Sequence, residues 1–275
     1  AHQAWDLQRL SGGRFALGLG SQIKPHIERR YGATWDRPRA QMAEIVSAIR
    51  AIFDTWQHGT PLDFRGTWTE HTLMPPTLTP PPLEVAPPPI WTAALGPRMT
   101  QMAGELADGL LVHPFTSREY LEAHTVPNVE RGLAASARTR SSMTVTVGAI
   151  IGLYDPADGA DERARTLKTV RATLGFYGST PAYRPVLDQH GWGHLQPELR
   201  ELTASGRWDE LGARLDAEHI DTLAFVGTPS EVAAALHRRI GDIADRIALS
   251  IPQLDRLELL GELVSAYREN GASAS

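Results

Sequence analysis

A strand, a turn, a helix and a second strand follow one another within residues 89–113, and this unit limits the fold more than any other segment. Residues 90–95 are a short apolar run that suits a β-strand. Gly96-Pro97 interrupts the run and starts a helix, because proline lacks only an N–H group that the first helical turn does not use. Apolar residues continue at helical spacing to Leu106, and residues 110–112 begin another buried strand. The unit predicts parallel strands joined by a helix.

The turn at Gly96-Pro97 is a candidate anion site. The first N–H groups of a helix have no partner within the helix, and the helix dipole places partial positive charge there. A glycine turn that leads into a helix therefore suits a phosphate group. Two interpretations stay open from this unit alone: a phosphate site, and an ordinary βαβ unit that holds no ligand.

Strand and helix signals alternate along the whole chain. We predict five parallel strands, which begin near Arg14, Ile90, Leu110, Met143 and Arg246. Two architectures fit this pattern, an open doubly wound sheet and a (β/α)8 barrel. Five strands are too few for the barrel. However, residues 1–10 resemble the later turns of an amphipathic helix, so we expect that preceding sequence has been removed.

The helices are predicted from their capping residues and apolar faces. Thr228-Pro229-Ser230-Glu231 supplies a capping box and predicts a helix from Pro229 to Ile240. Four other helices are predicted. One begins near Asp36 and ends near His58, a second spans 117–131 with a break at Pro127, and a third spans 161–173. The fourth follows Pro252 and has Leu254 and Leu257 on its apolar face. Residues 176–185 are predicted to be loop-like, forming either a packed turn or a pocket wall.

We expect a single domain at residues 1–270. Residues 60–74 predict irregular structure or a short hairpin, and residues 75–89 contain eight prolines, which favour an extended backbone. Because strands and helices resume after the prolines, residues 60–89 are interpreted as a long loop insertion and not as a domain linker. Residues 271–275 are predicted to be a disordered tail.

The composition excludes several classes of function. A net charge of -5 without a lysine-rich run argues against nucleic-acid partners, and no apolar run is long enough to cross a membrane. The absence of cysteine excludes disulfides, thiolate metal sites and a cysteine nucleophile. His190 and His194 are separated by glycines that disfavour a shared helical face, and no metal site is predicted. We expect a cytoplasmic protein.

Several motifs, in order and over nearly the whole chain, resemble the bacterial luciferase-like monooxygenase superfamily. Residues 10–21 (LSGGRFALGLGS) resemble its fourth strand, and 88–97 (PPIWTAALGP) with 103–110 (AGELADGL) resemble its fifth strand, phosphate-binding turn and sixth strand. Residues 226–232 (VGTPSEV) resemble the start of its last helix. Residues 176–187 (FYGSTPAYRPVL) and 190–193 (HGWG) resemble a subgroup of coenzyme F420-dependent oxidoreductases.

This resemblance implies a (β/α)8 barrel of the TIM-barrel type in which residues 14–20 are the fourth strand, so that the first three strands would be missing from this chain. In the family those strands supply much of the pocket for the cofactor ring. The implied activity is hydride transfer to or from F420, a deazaflavin. The alternatives are an FMN-dependent monooxygenase and a non-catalytic flavin-binding protein with a reduced barrel.

The resemblance also implies the site residues. The candidate cofactor-binding residues follow the ends of predicted strands; they are Gly20, Ser21, Gln22, Leu95, Gly96, Pro97, Arg98 and His113. Their alternatives are strand-end packing for the residues after Leu19, a solvated side chain for Arg98 and a structural role for His113. The resemblance carries over no catalytic residue, because the family's ring-pocket residues lie on the strands expected to be missing. The candidate catalytic groups in this sequence are His113, His26 and Tyr177, and surface positions remain the alternative for His26.

The expected partners are a small-molecule substrate and a second copy of the chain, forming a homo-oligomer (dimer). A barrel that lacks three strands would expose two strand edges, and exposed edges favour association. A flavin or F420 reductase is a further candidate partner, required if the cofactor is FMN.

Overall fold

The computed structural model describes residues 1–253 and 256–272. The strands are β1 Leu17–Leu19, β2 Phe64–Arg65, β3 Glu70–His71, β4 Ile90–Ala94, β5 Gly109–Val112, β6 Thr144–Leu153, β7 Phe225–Gly227 and β8 Arg246–Ser250. The helices are α1 His2–Leu10, α2 Pro38–His58, α3 Pro97–Leu106, α4 Arg118–Tyr120, α5 Val126–Ala135, α6 Ala160–Gly178, α7 Arg184–Gln189, α8 Leu195–Ala204, α9 Ala217–Leu223, α10 Pro229–Ile240 and α11 Leu257–Ala272. In the described ranges, no helix is both long and apolar enough to cross a bilayer.

The chain divides into two compact units, and the first contains residues 1–111 and 128–144. In it, β1 pairs with β4 in parallel, and β4 neighbours β5. The core of this unit is aromatic: Trp5 of α1 contacts Phe53 and Trp56 of α2 at ring distances of 5.4 and 5.2 Å. Trp5 and Ile90 of β4 are fully buried, so α1, α2 and the sheet share this core.

The second unit contains residues 112–127 and the described chain from 145 onward. Its centre is β6, which pairs in parallel with β7 and with β8. Alternate residues of β6 supply two cores: Val147 and Ile151 pack with α10 and α11, whereas Ile150 packs with the helices that follow β6. β6 is therefore covered on both sides, as its near-continuous apolar sequence predicts.

Most predicted elements are confirmed. The strands near Arg14, Ile90, Leu110, Met143 and Arg246 all form, with bounds that differ by a few residues. Helix α10 begins with the predicted capping box, in which the Thr228 hydroxyl accepts from the Glu231 N–H and the Glu231 carboxylate accepts from the Thr228 N–H. β2 and β3 form the predicted short hairpin.

The prediction that residues 176–185 are loop-like is wrong for most of the segment. Phe176–Gly178 are the last turn of α6, Pro181–Tyr183 form a 3₁₀ turn, and α7 starts at Arg184. Gly175 and Gly178 lie within α6, beyond the predicted end at residue 173, and are packing positions. A Cβ at Gly175 would lie 2.8 Å from the Leu211 Cβ, and one at Gly178 would lie 2.9 Å from Leu199 Cδ1.

The predicted break at Pro127 is also wrong. A π turn, Leu121–Thr125, precedes α5, and Pro127 is the second residue of α5. A π turn shifts the hydrogen-bond register by one residue, which accommodates a residue that has no N–H to donate.

Two further differences concern β7 and the end of the chain. β7, at Phe225–Gly227, was not predicted, because a three-residue strand carries too little periodicity to be recognised. Leu254, assigned to the last apolar face, lies outside the described residues. The predicted tail overlaps α11 at Gly271 and Ala272, and residues 273–275 lie outside the described residues.

Candidate functional site

The carboxyl ends of β1 and β4 lie at the same edge of the sheet in the first unit. The register pairs Leu17 with Ile90 and Leu19 with Thr92, both in parallel. A Cβ placed on Gly20 would lie 3.6 Å from the Ala93 Cβ. The structure therefore brings the segment after β1, which starts at Gly20, beside the turn after β4, which starts at Leu95.

Gly96 is the N-cap residue of α3, and neither its conformation nor its neighbours require a glycine. Its φ of -86° and ψ of 162° are open to any residue, and a Cβ there would meet nothing within 4 Å. Pro97 has no N–H, and the N–H groups of Met99 and Thr100 both donate to the Gly96 carbonyl. The N–H groups of Gly96 and Arg98 are the ones left for an anion, in open space at the positive end of a ten-residue helix.

The segment after β1 contains one unusual backbone conformation. Gln22 has a φ of 59°, in the left-handed region that non-glycine residues rarely adopt. Its Oε1 lies 3.2 Å from His26 Nδ1, in the π turn His26–Arg30, and the Ser21 hydroxyl donates to the Gln22 carbonyl at 3.4 Å. Local polar contacts thus hold Gln22 in this conformation at the strand end.

An ion pair holds α3 against the start of β4. The Asp108 carboxylate accepts from the Ile90 N–H at 2.8 Å with one oxygen, and from Arg50 Nη2 at 2.8 Å with the other. The same Arg50 nitrogen donates to the Leu106 carbonyl at the end of α3. These bonds join the first residue of β4 to the last residue of α3, and so set the position of the Gly96 turn between them.

His113 follows β5 and belongs to the second unit. Its Nδ1 accepts from the Phe115 N–H at 3.1 Å, so the ring proton of the neutral form lies on Nε2. Burial lowers the pKa of His113 to about 4, and the imidazole is neutral at pH 7. Gly148 of β6 permits this arrangement, because a Cβ there would lie 2.8 Å from the Pro114 nitrogen.

Two tyrosines surround His113. The Tyr183 ring stacks on the imidazole at 4.3 Å, and the Tyr177 ring meets it edge-on at 4.8 Å. Burial raises the pKa of Tyr183, and the nearby Tyr177 hydroxyl raises it further by a smaller amount. Phe115, which is 1% exposed, lies behind both tyrosine rings at 6.3 and 5.9 Å.

The predicted site residues thus fall into two groups, one in each unit. The first unit brings together Gly20, Ser21, Gln22 and His26 after β1 with Leu95, Gly96, Pro97 and Arg98 after β4. The second unit brings His113 against Tyr177. Tyr183 was missed as a site residue, although residues 176–185 were interpreted as either a packed turn or a pocket wall.

His190 lies in a separate cluster of polar and aromatic side chains in the second unit. His190 Nε2 lies 2.8 Å from the Ser117 hydroxyl and 3.9 Å from a Glu119 oxygen, and its ring stacks on Trp192. Burial lowers the pKa of His190, outweighing the nearby Glu119. Ser117 also caps α4 through the Tyr120 N–H, which indicates a structural role. In the part of the chain that the structure describes, no group of three or more His, Asp or Glu side chains could hold a metal ion.

Comparison with known proteins places this geometry in a family. A sequence model of the luciferase-like monooxygenase family matches residues 1–246. A Mycobacterium tuberculosis protein of uncharacterized function is 45% identical over 249 residues, covering 90% of this chain and 72% of that protein. A 5,10-methylenetetrahydromethanopterin reductase of Archaeoglobus fulgidus is 27% identical over 231 residues, covering 82% of this chain and 64% of that enzyme.

A solved structure has the same fold. The coenzyme F420-dependent tetrahydromethanopterin reductase of Methanopyrus kandleri superposes with a TM-score of 0.75 at 18% identity, over 97% of this chain and 78% of that one. This likeness confirms the barrel-type α/β fold and decides against an open doubly wound sheet. That strands precede residue 1 stays a prediction. With the family match over residues 1–246, these findings show that the chain is an oxidoreductase or monooxygenase in type and belongs to the luciferase-like monooxygenase family.

Proposed function

We propose that the protein is a coenzyme F420-dependent oxidoreductase, which transfers hydride to or from a small organic substrate. The observation that carries this proposal is the open Gly96 turn at the N-terminus of α3. It combines two backbone N–H groups with space that no described side chain fills. The Methanopyrus kandleri reductase, which has this fold, is F420-dependent.

The residues of the first unit fit the phosphate end of such a cofactor. The N–H groups of Gly96 and Arg98 would bind phosphate oxygens, and the exposed Arg98 side chain would add positive charge. Leu95 and Pro97 would border the phosphate. Gly20 leaves room beside Ala93, and the polar groups of Ser21 and Gln22 lie at the same strand edge.

When bound, the deazaflavin supplies hydride chemistry at its C5 atom, and the chain positions the reactants and excludes water. His113 would act as a neutral donor through Nε2–H, because its Nδ1 is already used and its pKa is lowered to about 4. A neutral donor suits an uncharged oxygen of the ring or the substrate better than a phosphate. Tyr177 and His26 remain the candidates for proton transfer.

The alternative cofactor is FMN, with which the protein would be a monooxygenase supplied by a flavin reductase. FMN also carries a phosphate, so it would use the same helix N-terminus. A third candidate function is flavin binding without turnover. The three candidate functions differ in which cofactor binds and in whether the bound cofactor is oxidised or reduced.

The test is a fluorescence titration of the protein with F420 and, separately, with FMN. We expect F420 to bind, and Gly96→Val to weaken binding at least ~10-fold by filling the space beside the N–H groups. Since valine is a poorer N-cap than glycine, the variant should lose at most about 1 kcal/mol of stability. Gly261→Val is the matched control, because Gly261 also has nothing within 4 Å.

Each outcome of the titration decides between the candidates. Preferential binding of FMN would replace the proposal by the monooxygenase. If either cofactor binds tightly but the bound cofactor is neither oxidised nor reduced, the non-catalytic flavin-binding protein is favoured. If neither cofactor binds, or if Gly96→Val binds as well as the wild type, the Gly96 turn is not a cofactor site.

A further inference from the structure

A continuous series of aromatic rings extends from His113 to the protein surface in the second unit. We define the aromatic wall as His113, Tyr183, Tyr177, Phe176 and Trp208. Neighbouring rings lie at 4.3 Å for His113 and Tyr183, 4.8 Å for His113 and Tyr177, 5.4 Å for Tyr177 and Phe176, and 6.2 Å for Phe176 and Trp208. The tyrosines are half-buried, whereas Phe176 and Trp208 are 48% and 51% exposed.

The polar groups of this wall have no partner within the described residues. Neither the Tyr177 hydroxyl, nor the Tyr183 hydroxyl, nor Nε2 of His113 makes a hydrogen bond there. Solvent reaches all three atoms, so a molecule bound on the wall can contact them as well. Three unused donors beside apolar rings are the arrangement expected of a site for an organic molecule, with a few polar groups that orient it.

The wall carries no charge that would attract an ion. His113 is neutral at pH 7, because burial lowers its pKa. The arginines next in sequence are already paired, Arg184 with Asp188 at 3.4 Å and Arg207 with Glu210 at 2.6 Å. A carboxylate or phosphate would have to compete with Asp188 or Glu210 for these cations, whereas a carbonyl or hydroxyl oxygen needs only a neutral donor.

We propose that the aromatic wall binds the substrate, and that the substrate is a neutral, flat aromatic carbonyl compound or the corresponding alcohol, whose oxygen accepts a hydrogen bond from Nε2 of His113. Phe176 and Trp208 are the exposed end of the wall, Tyr177 connects Phe176 to His113, and Tyr183 stacks on His113 itself. That the bound molecule is a substrate rests on the proposed function. The binding itself does not.

The test compares three probes of similar size: acetophenone, cyclohexyl methyl ketone and benzoate. Their binding to the full chain is measured by ligand-observed NMR and calorimetry, with and without F420. We expect acetophenone to bind ~2-fold to ~12-fold more tightly than cyclohexyl methyl ketone, since an aromatic pair adds about 0.5–1.5 kcal/mol beyond area burial. Benzoate should bind most weakly, because the wall provides no cation.

Variants identify the wall as the binding surface. Trp208→Leu and Phe176→Leu replace exposed rings, so folding is retained, and each should weaken acetophenone binding ~3-fold or more. Tyr183→Leu should weaken it ~10-fold or more. Tyr267→Leu is the matched control, since Tyr267 also stacks on a histidine, His237, at 3.9 Å but does not belong to the wall.

Two results would overturn the proposal: equal binding of the aromatic and cyclohexyl ketones, or losses in Tyr183→Leu and Trp208→Leu no larger than in Tyr267→Leu. Failure of this proposal and failure of the proposed function are distinguishable. Binding of F420 without the aromatic preference would reject the aromatic wall alone. An aromatic preference without binding of any cofactor would reject the oxidoreductase and leave the wall as a binding site.

Discussion

His113 illustrates how much the surroundings of one residue decide. Its position directly after a predicted strand marked it as a site candidate, but the sequence left its protonation and its tautomer open. The Phe115 N–H assigns the proton of the neutral ring to Nε2, and burial beside Tyr183 lowers the pKa to about 4. The same side chain would be a cation at acid pH in an unfolded chain and is a neutral donor in the folded protein.

This difference predicts a pH-dependent stability. The folded pKa of His113 lies below the ordinary value of 6.5, so the unfolded state binds the proton more readily between these values. The contribution of His113 is fully present above pH 6.5 and is lost as the pH falls toward 4. Between pH 7 and pH 5 the loss should be about 2 kcal/mol.

Urea unfolding of the wild type and of His113→Gln at both pH values measures this loss. We expect the stability of the variant to fall less between pH 7 and pH 5 than that of the wild type, by the same ~2 kcal/mol. Histidine NMR signals should include one that titrates near pH 4. A His113 signal that titrates near its ordinary value would contradict the buried, neutral ring.

At the scale of elements, glycines allow α3 and α5 to pack backbone against backbone. A Cβ at Gly104 would lie 2.5 Å from the Val129 carbonyl oxygen, and one at Gly132 would overlap the Gln101 carbonyl oxygen. Arg138 donates to the carbonyls of Gly104 and Ala107, which links the segment after α5 to the end of α3. Because α3 carries the Gly96 turn, this close packing also positions the candidate phosphate site.

Gly132→Ala should therefore destabilise the protein by about 2 kcal/mol or more, since the added methyl group meets backbone that cannot move aside locally. Gly261→Ala is the control, because Gly261 lies within α11 with nothing within 4 Å. It should be neutral or stabilising by up to about 1 kcal/mol. Denaturant midpoints of the two variants measure the difference, and equal midpoints would show that the helices do not meet at Gly132.

Elements differ in how well the sequence predicted them. The start of α10 was predicted, because Thr228 and Glu231 form a capping box through bonds only three residues apart. The end of α6 was not, because Gly175 and Gly178 serve contacts with Leu211 and Leu199 that are distant in sequence. Signals between residues close in sequence predict local structure. The sequence alone does not distinguish a glycine needed for packing from a glycine that ends a helix.

At the scale of the whole molecule, the edge of β1 is a candidate for association. Within residues 1–253 and 256–272, β1 pairs with β4 and with no other strand. Gly18, at the middle of β1, is exposed. An open strand edge presents unpaired N–H and C=O groups to another chain. The predicted homo-oligomer stays a prediction, and this edge is where it can be tested.

We expect light scattering coupled to size exclusion to show a dimer at micromolar concentration. Gly18→Lys should raise the dissociation constant at least ~10-fold, because a charged side chain on a strand edge opposes strand pairing. Leu73→Lys is the control, since Leu73 is 80% exposed and lies outside the strands. A protein that stays monomeric, or equal weakening by both variants, would exclude this edge as the interface.

By itself, the sequence determined the alternation of strands and helices, the family resemblance and the Gly96 turn, because turn residues, capping boxes and apolar periodicity act over a few residues. The tertiary structure decided what those residues do. It showed that Gly96 borders open space and is not a packing position. It also showed that Gln22 has a left-handed backbone conformation and that His113 is a neutral donor stacked on Tyr183. These properties depend on burial and on contacts between residues far apart in the chain, which no local pattern records.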